Sequence, residues 1–248
     1  MILLAISYTL CNVESFLKRD KHYAKHQTVL AGTEELPDSH YEISDLSFTE
    51  ISKQDRTYTI SKYSAYQDVR QNKHGRQFGQ FFHWYLEPHE FPLYYIDELG
   101  LMIFATGRDT VDAFLRQMEN DKESGLRCKR IEVDFRYAQP LLPIINGAWF
   151  ADLQKKKQYL KSAALFGYNV DKSEEFKAAA EAGVISSLSL PYHFKGRDIQ
   201  IGITRNGSVV FYGRIKNPVS KEPDIAEELA LVLDVFTKYL FQKKVSTL

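Results

Sequence analysis

The strongest constraint in this chain is an alternation of isoleucines. Ile199, Ile201 and Ile203 run up to Arg205-Asn206-Gly207, and Val209 and Phe211 alternate on the far side. A period of two marks half-buried β-strands, and Asn-Gly between them marks a hairpin. Two registers compete. A two-residue turn at Asn206-Gly207 would set Ile201 opposite Tyr212 and turn Val209 and Phe211 away from the isoleucines. A three-residue loop, with Gly207 in the left-handed conformation, pairs Thr204 with Ser208, Ile203 with Val209 and Ile201 with Phe211. Slipping a strand by one residue moves every side chain to the other face. Burial of the aligned apolar set therefore selects the three-residue loop. That register sets Asp198 opposite Arg214 and Gln200 opposite Tyr212 on the outer face. Arg214 then reads as a neutralised cross-strand partner.

Around this hairpin the signals follow an order. Residues 162–170 read as a strand, 171–182 as a helix capped near Asp171, and Asp224 with Glu227 at N3 opens a closing helix. Ile225, Leu229, Val232, Phe236, Tyr239 and Leu240 form one stripe on that helix. Leu231, Leu233, Val235 and Phe241 fall outside the stripe, which makes the helix apolar on more than one side, so that burial beneath the N-terminal domain and a homodimer interface formed by these four residues compete as explanations. Further upstream, a first strand is expected to give way near Asn12 to a helix with Val13, Phe16 and Leu17 inward. Tyr41, Ile43 and Asp45, then Tyr58, Ile60 and Lys62, alternate as strands, and residues 71–77 read as a loop. Residues 91–96 and 101–105 flank Asp97-Glu98-Leu99-Gly100 as a hairpin. Asp109 is expected to cap a helix with Val111, Phe114, Leu115 and Met118 on one face. A strand over 129–137 precedes Pro140 and Pro143, and 141–158 is expected to be helical in part. The expected fold is α+β: two domains, 1–138 and 139–248, each an antiparallel sheet with flanking helices.

Composition narrows function more by exclusion. Lys plus Arg and Asp plus Glu each number 32, so the formal charge is zero and any phosphate contact must come from local clustering. Cys11 and Cys128 are far apart and form no CxxC, which fits a reducing compartment without structural zinc. The apolar start is only six residues long, and no run approaches the ~20 residues of a membrane helix. The expected location is cytoplasmic, without direct membrane insertion. No GxSxG, P-loop or GxGxxG appears, so neither catalytic residues nor a cofactor are expected.

Several side-chain groups could still carry chemistry. His22 and His26 have helical i, i+4 spacing, and His83 and His89 bracket Glu87. Glu132 and Asp134 share one side of the expected strand, as the carboxylates of a metal-dependent nuclease would. Arg130 and Arg136 have the same parity, and alternating surface charge accounts for the set more simply. The densest cationic run is Lys155-Lys156-Lys157 with Lys161. Lys195 and Arg197 stand at the entrance to the last hairpin, with Arg205 at its tip. Cations of this kind hold phosphates without reading sequence.

The stretch Ile225-Ala226-Glu227-Glu228, the Phe91-Pro92 start and the Met102-Ile103-Phe104-Ala105 return of the hairpin belong to a wider pattern. Together with the preceding strand, Lys-rich helix and strand, the order of elements over about residues 45–245 resembles the RexA-like phage-exclusion family. The resemblance implies a two-domain homodimer that binds double-stranded DNA. It also implies a non-catalytic sensor or effector role in phage defence, with a membrane-protein partner. The alternatives are a metal-dependent nuclease using Glu132 and Asp134, with His83 or His89, or a protein–protein interaction module that binds no nucleic acid.

Overall fold

The computed structural model describes residues 5–16, 21–24, 41–53, 56–77, 80–120, 125–153 and 160–240. The strands are β1 (Ile6–Phe16), β2 (Lys21–Ala24), β3 (Tyr41–Lys53), β4 (Arg56–Gln71), β5 (Gly75–Gln77), β6 (Gln80–Phe82), β7 (Tyr85–Ile96), β8 (Leu101–Phe104) and β9 (Leu126–Arg130). They continue as β10 (Gly147–Ala151), β11 (Ala163–Phe166), β12 (Val184–Phe194), β13 (Arg197–Thr204) and β14 (Ser208–Phe211). The helices are α1 (Arg108–Asn120), α2 (Phe135–Ala138), α3 (Glu174–Ala182) and α4 (Ile225–Val235), the last running on as a π-helical turn over Phe236–Leu240.

Two separate sheets with flanking helices do not form. The strands follow one another in a single sheet, β11-β10-β12-β13-β14-β1-β8-β7-β4-β3-β2, with β9 paired to β1, twelve strands in all. One reason is local. Residues 12–16 continue β1 where a helix was expected, and Val13 N–H donates to Gly100 O at 2.7 Å. The expected strand over 129–137 also breaks. β9 stops at Arg130, Asp134 caps α2, and the expected partial helix over 141–158 contains β10 instead. Within the loop expected over 71–77, residues 75–77 form β5, which pairs with β6 as a separate two-stranded ribbon.

Tertiary contacts divide the chain into two compact units. The first comprises Met1–Cys11, Ile51–Tyr58 and Arg130–Leu248. Its best-argued element forms in the expected register, with Ile201↔Phe211 and Ile203↔Val209 across β13 and β14. Gly207 has φ of 73°, and its N–H donates to Thr204 O at 3.1 Å. Ile201, Ile203, Val209 and Phe211 are all fully buried. Burying four such side chains contributes on the order of 6–12 kcal/mol, more than any preference among turn types. On the outer face Gln200 lies opposite Tyr212 as expected, with Tyr212 N–H donating to Gln200 O at 3.4 Å, but the ion pair expected between Asp198 and Arg214 does not form. Asp198 meets His193 at 2.9 Å, while Arg214 turns to Glu228.

α4 begins as its sequence indicates, with the Asp224 side chain accepting from Glu227 N–H at 3.1 Å. Leu231, Leu233 and Val235 are 0% exposed within the single chain, so they are core and present no surface to a second copy. Phe241 lies outside the described residues. A helix apolar on all sides is a buried helix. Two acids ride into that interior. Glu228 accepts from Tyr8 OH at 2.5 Å and from Ile215 N–H at 3.1 Å, and it pairs with Arg214 Nε at 2.9 Å. Asp234 accepts from Tyr192 OH and pairs with Lys238 Nζ at 2.8 Å. Burial, and then the hydrogen bond to Asp234, push the Tyr192 hydroxyl pKa well above the usual phenol range.

The second unit comprises Asn12–Glu50 and Thr59–Lys129. β4 and β7 pair over a long antiparallel run, from Ser61↔Tyr95 to Gln71↔Tyr85. β7 and β8 close the expected hairpin through Gly100, whose φ is 55°. α1 buries the expected Val111, Phe114, Leu115 and Met118, with Phe114 edge-on to Phe91 at 5.5 Å. The helix starts at Arg108, so Asp109 lies inside its first turn and not at the expected cap position, and Arg127 Nη1 donates to Met118 O at 2.9 Å near its C-terminal end. No helix among the described residues is long and apolar enough to cross a membrane.

Two stability predictions follow from these contacts. A Cβ at Gly207 would overlap Ile131 O, whereas one at Gly196, with φ of 75°, meets nothing within 4 Å. Gly207→Ala should therefore cost more than the ~1–2 kcal/mol of left-handed strain alone, and Gly196→Ala about that strain alone. Urea unfolding of the two variants measures the difference. Glu228→Ala should cost about 3–5 kcal/mol by leaving Arg214 and Tyr8 without their buried acceptor. A midpoint within error of the parent protein would show that the network contributes nothing.

Candidate nucleic-acid interface

The first unit carries a cleft of about 620 Å³ beside the tip of the β13–β14 hairpin. Glu132, Asp134 and Arg136 line one side, Gly183 and Ile185 another, and Arg205 reaches it from the hairpin. The backbone sets this arrangement. Val133 N–H donates to Arg205 O at 2.7 Å, and Arg205 N–H donates to Ser186 O at 2.8 Å. Gly207 is the small residue that lets the hairpin lie against Ile131.

Asp134 has a local task here. Its side chain accepts from Arg136 N–H at 3.0 Å, the N-cap contact of α2. The Arg136 guanidinium also forks onto both carboxylate oxygens, at 3.0 Å to Oδ1 and 2.6 Å to Oδ2. The Arg136 hydrogen bond is the main cause holding the Asp134 carboxyl below its usual range, and the Arg205 charge adds to it. Glu132 and Asp134 therefore do not stand side by side on a strand as free carboxylates. A metal ion would have to displace Arg136. Among the described residues, no group of three or more His, Cys, Asp or Glu is placed to hold a metal. His83 and His89 belong to the second unit, where His83 meets His74 and His89 lies 3.7 Å from Glu87. The side chains of His22 and His26 lie outside the described residues.

The expected cationic set divides. Lys155, Lys156 and Lys157 lie outside the described residues. Lys195 and Gly196 form the two-residue turn between β12 and β13, both with positive φ. Lys195 Nζ is held by Glu227 at 2.7 Å and lies 5.3 Å from the centre of the Phe194 ring. Arg197 starts β13 and Arg205 follows its end. Eight strand steps separate them, about 25 Å. One continuous patch cannot include both ends at short range.

Lys161 belongs to the Arg205 end. Its carbonyl accepts from Leu153 N–H at 3.2 Å, closing β10 and β11 where Phe150 pairs with Ala163. β10 passes that level to β12 through Ala151↔Val184, and β12 to β13 through Ser187↔Thr204. Three strand spacings and about three residues of offset put Lys161 roughly 17 Å from Arg205. Both side chains are exposed, and neither has a hydrogen-bond or ion-pair partner among the described residues. Arg136 is the neighbour that sequence reasoning treated only as a same-face residue on a strand. The Asp-x-Arg spacing of a short capped helix was the signal available. Neither a protein-family model nor a curated protein matches this chain.

Since the folded-state pKa of Asp134 is depressed, its stabilisation is complete above the ordinary carboxylate range and is lost as pH falls through the depressed value. Carboxyl NMR titration should place Asp134 below the usual range and return it upward in Arg136→Ala. An ordinary value in the parent protein would show that the fork does not persist in solution.

Proposed function

We propose that this protein binds double-stranded DNA through phosphate contacts, without reading sequence, as a non-catalytic component of a RexA-like phage-exclusion system. The observation that carries the reading is the pairing of Arg205 and Lys161, two exposed cations without an ion-pair partner among the described residues, at one end of the strand group. The Arg136 side chain, 85% exposed, flanks the same cleft. A separation of roughly 17 Å matches phosphates several base pairs apart, since charge recurs every 1.7 Å of duplex axis. Lys195 contributes less, being held by Glu227, and Arg197 is at the far end of β13. With zero net charge, attraction to DNA depends on this local surface rather than on the whole chain.

Two such phosphate contacts give a salt slope of about −2 in log–log form. In a mobility-shift assay at low salt, Lys161→Glu with Arg205→Glu should weaken binding at least about tenfold and flatten that slope. Lys195→Glu with Arg197→Glu should change it little. Absence of any complex at micromolar protein removes the DNA reading and leaves the interaction-module reading. Equal loss from both pairs would show that the contact surface is not confined to the hairpin-tip end.

A further inference from the structure

The β5–β6 ribbon of the second unit pairs Gly75↔Phe82, Arg76↔Phe81 and Gln77↔Gln80. One step beyond Gly75↔Phe82, at its open end, His74 stands opposite His83. Their Nδ1 atoms approach to 2.8 Å, with the rings edge-on at 4.9 Å between centroids and 86° between planes. Both rings are exposed. Two imidazole nitrogens at this distance share one hydrogen, one ring donating and the other accepting. Two nitrogens converging just beyond the ends of two short strands form a chelate once the shared hydrogen passes to the far nitrogen of its own ring.

We propose that His74 and His83 form a bidentate site for a divalent transition-metal ion. The distance selects the class of ion. Two nitrogens about 2.8 Å apart, each about 2.0–2.1 Å from a metal, subtend about 90° there. That is the cis angle of a tetragonal or square-planar centre and is well below the tetrahedral angle of zinc. Nitrogen and oxygen donors in tetragonal geometry suit Cu(II) or Ni(II). Water fills the remaining positions, and the two exposed rings need only turn about their side-chain bonds to aim both lone pairs at the ion. Binding moves the shared hydrogen, by exchange with solvent, to the Nε2 of the ring that carried it; both imidazoles stay neutral with one N–H each, no net proton is released, and no redox change is involved. The ion ties the two strands at the ribbon's open end.

Calorimetric titration of the full chain with Ni²⁺ near neutral pH tests the site, paired with the electron paramagnetic resonance spectrum of the Cu²⁺ form. The expected result is a saturable one-to-one step and an axial spectrum coupled to two equivalent imidazole nitrogens. His74→Asn and His83→Asn should each weaken binding at least about tenfold, and the double variant should lose little more, because one chelate is broken in every case. His193→Asn, at an exposed histidine held by Asp198, should change neither reading. An Ni²⁺ affinity unaffected by either substitution, or coupling to a single nitrogen, overturns the assignment. The urea midpoints of the two Asn variants, expected to match the parent protein, separate loss of ligand from loss of fold.

Discussion

A carboxylate with no exposed surface sits on α4 and joins three parts of the first unit. Glu228 takes the Tyr8 hydroxyl from β1, the Arg214 guanidinium and the Ile215 amide from the segment after β14. Desolvating such a group is costly unless its lone pairs are met, and here three donors meet them. The contacts also give direction to an otherwise slippery interior. A helix of Leu, Val and Ala could turn about its axis or slide against a sheet with small loss of burial. Glu228 near its start and Asp234 near its end permit one rotation and one height. The Asp234 contacts with Tyr192 and Lys238 repeat the device, and Lys238 Nζ lies 5.4 Å from the centre of the Tyr192 ring. Hydrophobic burial supplies the driving force, and two acids select the arrangement.

The parts of the fold legible in the sequence are those in which one local rule dominates. The β13–β14 register follows from aligning Ile201 and Ile203 with Val209 and Phe211, because no other register buries all four. The apolar face of α1 follows from a 3.6-residue period, and the start of α4 from an acid three residues before another. Where two rules compete, sequence alone chose wrongly. Asn12 offers a helix cap, yet residues 12–16 stay extended because β1 gains more from strand pairing than a short polar helix would gain by itself. Residues 131–134 alternate as a strand would, but Asp134 caps α2. A capping hydrogen bond is a local interaction that alternation does not reveal. The twelve-strand sheet was illegible for a different reason. Strand partners such as Ile6↔Phe211 are two hundred residues apart, and nothing in either segment names the other.

The candidate site shows the same division. Arg205 was legible because a hairpin tip must be exposed. The separation of Arg197 from Arg205 follows only once β13 is known to be a single straight strand. The partner of Arg214 was assigned across the strand to Asp198, when a buried glutamate was the stronger attraction. Charge in low dielectric outweighs charge on a solvated face, and burial at Glu228 cannot be read from a helix whose neighbouring residues include Glu227.

The order in which the first unit's segments are joined has a consequence for how the chain is made. Its members are residues 1–11, 51–58 and everything after Arg130, so the second unit is an insertion within it. Tyr8 and Glu228 are 220 residues apart in sequence, and β1 waits for β14. During synthesis at about 5–20 residues per second, the opening strand emerges many seconds before its partners exist. The inserted unit can gather its own hairpins in that interval, whereas the edge of β1 that pairs with β14 stays unmatched until residues 208–211 leave the ribosome. Slow, long-range closure of this kind leaves a strand edge open to wrong partners. The demand for a chaperone should therefore fall on β1 rather than on the apolar α4.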